Sequence, residues 1–267
     1  MPFIDSGDAR IYWEEVGSGD PVLLVMGLGY TLEMWHRTRR ALAASFRVLL
    51  FDNRGVGRSG APPGPYSITQ MAGDARTVLD AAGAARAHVF GMSMGSLIAQ
   101  EMALSYPERV RSLVLGCTAC GGPGAVLAEP EVADALVSRT RLSAEEGVRV
   151  MVPYVYDPGT PRERVEEDIA IRLRHYPRRE GYLAQLQAAL AFTSHDRLAS
   201  IGIPTLVIHG ESDRLVPPGN GVQVAKAITG AELLLLKGAS HIFMTDQPRE
   251  SHEAITSFLD RVGSRAA

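Results

Sequence analysis

The sequence predicts an α/β fold, a parallel sheet covered by helices on both faces and interrupted by one helical insertion. Three observations predict it. Short, unbroken apolar runs recur along the chain, as in strands buried on both sides. Stretches of helical period separate them, and such alternation builds parallel sheets with right-handed crossovers. The alternation then lapses between about residues 121 and 194, where helical segments and Pro/Gly breaks occur without a clear buried strand.

Taken in order, residues 10–15 read as a first strand, closed by the turn Gly17-Ser18-Gly19-Asp20-Pro21. Residues 22–26 form a buried strand broken by Met26-Gly27-Leu28-Gly29, and 32–44 follow a helical pattern. Residues 48–51 make the next strand, which ends in Asp52-Asn53-Arg54-Gly55-Val56-Gly57-Arg58-Ser59. That loop's two glycines and its exit from a buried strand point to a tight structural turn. Ser67 and Gln70 have the spacing of a capping box and open a helix with an apolar stripe at Ile68, Met71, Ala72, Ala75, Val78, Leu79 and Ala82. Gly83 terminates it. A strand over 88–90 leads into a helix stopped before Pro107, and 110–115 is again a strand. Gly95, Ala99 and Ala103, four apart, let that helix lie close to the sheet. After the insertion, strands are expected at 205–208 and 232–236. A helix is expected at 222–228, and a last one carries Ala254, Ile255, Phe258, Leu259 and Val262. The core is thus expected in two parts, 1–120 and 195–267, with the insertion at 121–194 lying over the carboxyl edge of the sheet.

Composition narrows the function. With 46% hydrophobic and 21% charged residues, the chain has the profile of a soluble globule. A net charge of −3 without a basic block argues against a nucleic-acid partner. Six arginines between Arg162 and Arg179 alternate with Glu163, Glu166 and Glu167, as on a solvated helix face, with an anionic-substrate patch as the alternative. No signal peptide and no membrane span are expected, so the compartment expected is the cytoplasm. Cys117 and Cys120 have C-x-x-C spacing but lack further metal ligands and a redox-type helix start. They are expected to be buried or loop thiols, and no metal or cofactor is expected.

The chemistry is expected beyond the carboxyl ends of the strands. Gly91-Met92-Ser93-Met94-Gly95 joins a strand to a helix. A nucleophile on such a tight turn needs neighbours without bulk two residues away on either side, and the helix behind it aims free N–H groups at the same point. A serine hydroxyl needs a base, and His241 follows the final strand. The imidazole in turn needs an acid on its other nitrogen. Asp213 in Gly210-Glu211-Ser212-Asp213-Arg214 is that candidate, with Glu211 as the alternative. His209, within a strand, reads as a satisfied core residue.

Together, the elbow around Ser93, the Asp52–Ser59 loop, Asp213 and His241 resemble the α/β-hydrolase superfamily, over the whole chain except the inserted segment. The chain is similar to the small-esterase and enol-lactonase-like branch. The resemblance implies a mostly parallel eight-stranded sheet, a helical cap at 121–194, and an oxyanion hole from the backbone N–H groups of Leu28 and Met94. Members with His-Gly before the oxyanion residue differ from the Met26-Gly27 found here, although the donor is a backbone amide in both cases. Dehalogenases and epoxide hydrolases of this fold carry aspartate where Ser93 stands.

The expected reaction is attack by Ser93 on an acyl carbonyl, with His241 as base and Asp213 as its support. Tyr30, Met34 and Met94 from the core, Met151, Tyr154, Tyr156 and Phe192 from the insertion, and Ile242 and Phe243 beside the base suit an apolar, small-to-medium ester or lactone. Carbon–carbon cleavage, thioester hydrolysis or perhydrolysis on the same triad is a second reading. A ligand-binding, receptor-like protein with little turnover is a third.

Overall fold

The computed structural model describes residues 2–264. Its eight strands are β1 (Phe3–Ser6), β2 (Ala9–Val16), β3 (Pro21–Val25), β4 (Arg47–Phe51), β5 (Ala87–Met92), β6 (Val110–Gly116), β7 (Thr205–Gly210) and β8 (Glu232–Leu236). They form one sheet in the order β1-β2-β4-β3-β5-β6-β7-β8. The first two pairings, β1 with β2 and β2 with β4, are antiparallel, and every later one is parallel. This is the α/β-hydrolase fold. Strand β1 lies outside the expected set. Only four residues long and half-exposed, it carries no apolar run and owes its form to pairing with β2 across Gly7.

Helices α1 (His36–Leu42), α2 (Ile68–Ala81) and α3 (Met94–Ser105) lie within the first half of the sheet. Between β6 and β7 come α4 (Pro130–Ser138), α5 (Ala144–Arg149), α6 (Val152–Val155), α7 (Arg162–Arg174) and α8 (Arg179–Ala191). The chain closes with α9 (Gly219–Ala227), α10 (Phe243–Asp246) and α11 (Pro248–Ser264). Alternate strand residues feed two separate cores, because successive side chains point to opposite faces. Leu23, Val25, Leu49, Val89 and Leu113 pack with α2 and α3. Val22, Leu24, Val48, Leu50 and Phe90 pack on the other side with Trp35, Phe258 and Leu259. A third, smaller cluster, including Met151, Val155, Tyr156 and Ile242, joins the helical segment to the loop after β8.

Two local expectations change. Ser67 accepts from the Gln70 amide at 3.0 Å, but the Gln70 side chain reaches Asp8 instead of closing the capping box. The arginine-rich stretch is not uniformly solvated. Arg162, Arg174, Arg178 and Arg179 are exposed, whereas Arg172 is buried against the Tyr30 ring. Helix α7 turns that one position inward, toward the loop after β3.

Candidate active site

The turn after β5 fixes the position of Ser93. Its φ of 55° and ψ of −123° lie in a region that side chains rarely occupy. It is held there by its N–H, which donates to Gly116 O at 2.8 Å, and by the Ser96 hydroxyl, which donates to Ser93 O at 2.6 Å. The flanking glycines are sterically required. A Cβ at Gly95 would stand 2.0 Å from Val25 O, and one at Gly91 would stand 2.1 Å from Gly95 O. A polar chain braces the elbow from behind: Ser96 meets the Thr118 hydroxyl at 2.8 Å, Gln100 donates to Thr118, and Ser194 donates to Gln100.

The loop after β3 passes over Ser93, so that a Cβ on Gly27 would lie 3.1 Å from Ser93 Cβ. Among the described residues, neither the Leu28 nor the Met94 amide donates to a protein acceptor. Met94 opens α3, where the first N–H groups have no intrahelical partner. Three side chains hold the loop that carries Leu28 in place. Asp52 accepts from the Leu32 amide at 2.8 Å, and Asn53 donates to Met26 O at 2.8 Å. Gln185 from α8 accepts from the Gly29 amide at 2.9 Å and donates to Arg54 O at 2.7 Å. The Asp52–Ser59 loop is therefore a brace. Asp52 and the buried Arg54–Asp74 pair are spent on structural contacts.

Asp213 and His241 meet at the ends of β7 and β8. The two loops touch closely enough that a Cβ on Gly210 would be 2.2 Å from Ser240 O. His241 Nδ1 donates to Asp213 Oδ2 at 2.8 Å, an assignment fixed by the carboxylate's having only acceptors. Asp213 Oδ1 accepts from the amides of Leu215 and Val216. Burial alone would raise the Asp213 carboxyl. The charge of His241 and the hydrogen bonds from His209 and His241 instead hold it well below the ordinary range.

His209 departs from the expected satisfied core residue. Its Nε2 donates to Val216 O at 2.7 Å and lies 3.2 Å from Asp213 Oδ2. Among the described residues its buried Nδ1 has no hydrogen-bond partner, and it faces Gly221. His209 is thus a further neighbour of Asp213. Sequence reasoning missed it because an inward strand position alone does not show what lies beyond it. Cys117 completes this corner, its Sγ lying 3.4 Å from His241 O. Burial, followed by the Asp213 charge, raises its thiol well above the ordinary cysteine range. Both cysteines are buried free thiols.

Ser93, His241, Leu28 and Met94 line one cavity of about 490 Å³. Among the described residues no hydrogen bond joins Ser93 Oγ to His241, although both face this space; such contacts often tighten only with substrate bound. The wall is otherwise chiefly apolar. Tyr30, Met34, Met151, Phe192 and Ile242 belong to it. Tyr154, Tyr156 and Phe243 do not. Tyr154 lies under the Arg214 guanidinium, Tyr156 donates to buried Asp168, and Phe243 is packed in the core against Gly116. Their helical and loop positions were legible, but the direction each ring takes depends on tertiary packing.

Comparison with known proteins gives a consistent picture. The family described as the alpha/beta hydrolase fold matches residues 20–142. A protein of Azorhizobium caulinodans named "Putative carbamate hydrolase RutD" is 36% identical over 98% of this chain and 99% of its own. A poly(3-hydroxyalkanoate) depolymerase of Ectopseudomonas oleovorans is 32% identical over 92% of this chain and 86% of its own. Among solved structures, the enol-lactonase from Burkholderia xenovorans LB400 superposes with a TM-score of 0.86 at 28% identity, covering 97% of this chain and all (100%) of that one.

Proposed function

The chain belongs to the α/β-hydrolase family, and from that premise we propose that it is a serine hydrolase acting on small-to-medium apolar esters or lactones. The observation that carries this reading is a single apolar cavity holding Ser93, the free face of a His241 already bonded to Asp213, and the unpaired amides of Leu28 and Met94.

In this mechanism Ser93 Oγ attacks the carbonyl carbon as its proton passes to His241 Nε2. The Leu28 and Met94 amides donate to the resulting oxyanion, each contributing about 3 kcal/mol by comparison with known donors. His241 returns the proton to the leaving alkoxide, and the C–O bond breaks. Water then attacks the acyl-enzyme, giving its proton to His241, which passes it back to Ser93 as the acid departs. Asp213 stabilises the imidazolium formed at both stages and keeps its Nδ1 engaged. The helical segment at 121–194 acts as a cap that supplies Met151, Phe192 and the walls between them.

A carbamate presents the same carbonyl to the same residues, and the Azorhizobium relative's name makes it the natural competing substrate. The test is a panel of chromogenic acyl esters of increasing chain length, run beside lactones, a carbamate and a thioester. Turnover of esters or lactones that falls by about five orders of magnitude in Ser93→Ala is the expected result. A carbamate or thioester cleaved in clear preference would reassign the substrate. Equal turnover by wild type and Ser93→Ala would remove the nucleophile.

A further inference from the structure

The cavity that holds Ser93 does not end inside the molecule. Beside Ser93 its walls are the buried Met26 and Met94, yet the same lining includes Leu127 and Leu190. Among the described residues these two leucines are the most exposed of all large apolar side chains. Val126, also exposed, borders the same space. Apolar residues scattered singly over a surface need no explanation, but their convergence on the mouth of one cavity does.

The rim is built where the two legs of the helical insertion leave and rejoin the core. Ser194 N–H donates to Cys120 O at 2.9 Å, and a Cβ on Gly121 would stand 2.6 Å from Phe192 O, so the legs run side by side. The outgoing leg is fixed by α9. Asn220 accepts from the Val126 amide at 3.0 Å and donates to Val126 O at 2.8 Å, and Gln223 donates to Gly124 O at 2.6 Å. With its neighbour's backbone groups satisfied in this way, Leu127 is held outward. On the returning leg, Leu186 and Leu190 lie one helical turn apart on the same face of α8. The first is buried, the second exposed, and both line the cavity. An apolar track therefore runs from the interior to the surface. Arg139, the one permanently charged side chain in the lining, also borders a small space beside Tyr30 and Tyr176, which none of the rim residues touches.

A closed pocket sets a maximum chain length, because further methylenes can enter only by overpacking it. An open one with an apolar rim does not, since each methylene that stays against the wall keeps its gain from leaving water. We propose that the cavity is an open-ended channel for a linear aliphatic chain, which leaves the protein over Leu127 and Leu190. Acyl and alcohol chains share this chemistry, and the two arms of the test separate them. The inference rests on the serine-hydrolase reading and widens it from small-to-medium esters to long-chain and oligomeric ones.

The test is kcat/KM for two series of esters kept below their solubility limits. One runs from para-nitrophenyl acetate to the dodecanoate, the other through butyrates of alcohols from methanol to dodecanol. In at least one series kcat/KM should climb with length and level off, without the fall that a closed pocket imposes. Leu127→Ser and Leu190→Ser, both at exposed positions, should each lower the ratio of the longest ester's kcat/KM to the shortest's by about threefold, and the double variant by about tenfold, through KM. Equilibrium binding of long against short methyl ketones to Ser93→Ala repeats the comparison without turnover. A gain with length there that depends on Leu127 would uphold the channel even if no ester were cleaved, a result that would sink the hydrolase reading alone. A fall beyond a middle length in both series, or a length dependence untouched in the double variant, would overturn the channel and leave hydrolysis standing. So would turnover that begins only above the solubility limit, since the rim would then be an adsorption face. A dimer that the double variant dissociates would overturn it too, because a second copy would cover the rim.

Discussion

Ser93 sits where the demands of folding and of the proposed chemistry diverge. Its backbone occupies a region in which a Cβ is strained, and its side chain is the one that must reach the carbonyl. Ser93→Gly should therefore raise stability by about 1 kcal/mol, read as a higher midpoint in urea, while abolishing turnover. An unchanged or lower midpoint would mean that the turn stores no strain. His209 offers a second residue-scale test. With Asp213 supporting His241 as proposed, His209, whose Nε2–H lies between Val216 O and Asp213 Oδ2, is expected to position His241 through Asp213. His209→Leu should lower kcat/KM about tenfold and move the acid limb of the pH–rate profile to higher pH, because the Asp213 carboxylate, relieved of the His209 donor, acts more fully on the His241 imidazolium; His209→Gln should recover part of the loss. A profile that falls in height without shifting would assign His209 to packing alone.

At the scale of elements, the site depends on how loops and helices brace one another. Gln185 on α8 bridges the loop that carries Leu28 and the Asp52–Ser59 loop with two buried hydrogen bonds. Gln185→Leu leaves the Gly29 N–H and the Arg54 carbonyl without partners and should cost about 2 kcal/mol or more. Thermal unfolding checks the cost, and KM for an ester should rise as the Leu28 loop loosens. The sequence carried no sign of this contact, because a lone glutamine in a helix of mixed polarity has no periodic signature. Local pattern did reveal the parallel strands. Runs such as Val22–Met26 are apolar throughout because both faces of the sheet are covered. The elbow was legible for a similar reason, since its glycines answer a steric demand within five residues. What stayed hidden was set by tertiary direction: β1, which forms only through pairing, the inward turn of Arg172, and the rings of Tyr154 and Phe243. Asp213 and His241 could be proposed from strand ends alone, but their 2.8 Å contact required the loops to be seen together.

Across the whole molecule, titration of buried groups should set the response to acid. Burial, and then the charge of Arg111, lowers His88 to about 4. Burial, and then Arg37, lowers His252 to about 4. Unfolded imidazoles charge near ~6.5, so these two stabilise the fold fully above that value and lose their contribution as the pH falls toward 4. Asp246 works in the opposite sense. Burial raises it to about 6 despite hydrogen bonds from Thr160 and Ser240, so its contribution is present at low pH and lost as the pH rises through 6. Each shift corresponds to roughly 3 kcal/mol, and two imidazoles against one carboxyl leave a net loss toward acid. Unfolding free energy should fall by about 3 kcal/mol between pH 6.5 and 4, and His252→Gln should make the slope shallower. A steeper slope in Asp246→Asn would follow from the same accounting. On the surface, Leu127 and Leu190 are 82% and 77% exposed and also line the cavity that holds Ser93 and His241, giving it an apolar rim. Among the described residues no helix is long and apolar enough to cross a membrane.

The central claim is that Ser93 is a nucleophile activated by His241, and covalent labelling tests it most directly. Treated with a fluorophosphonate at neutral pH and digested for mass spectrometry, the wild-type chain should carry a single adduct, on Ser93. His241→Ala should slow its formation by at least about a thousandfold. An adduct on another residue, or undiminished labelling of Ser93 in His241→Ala, would contradict it.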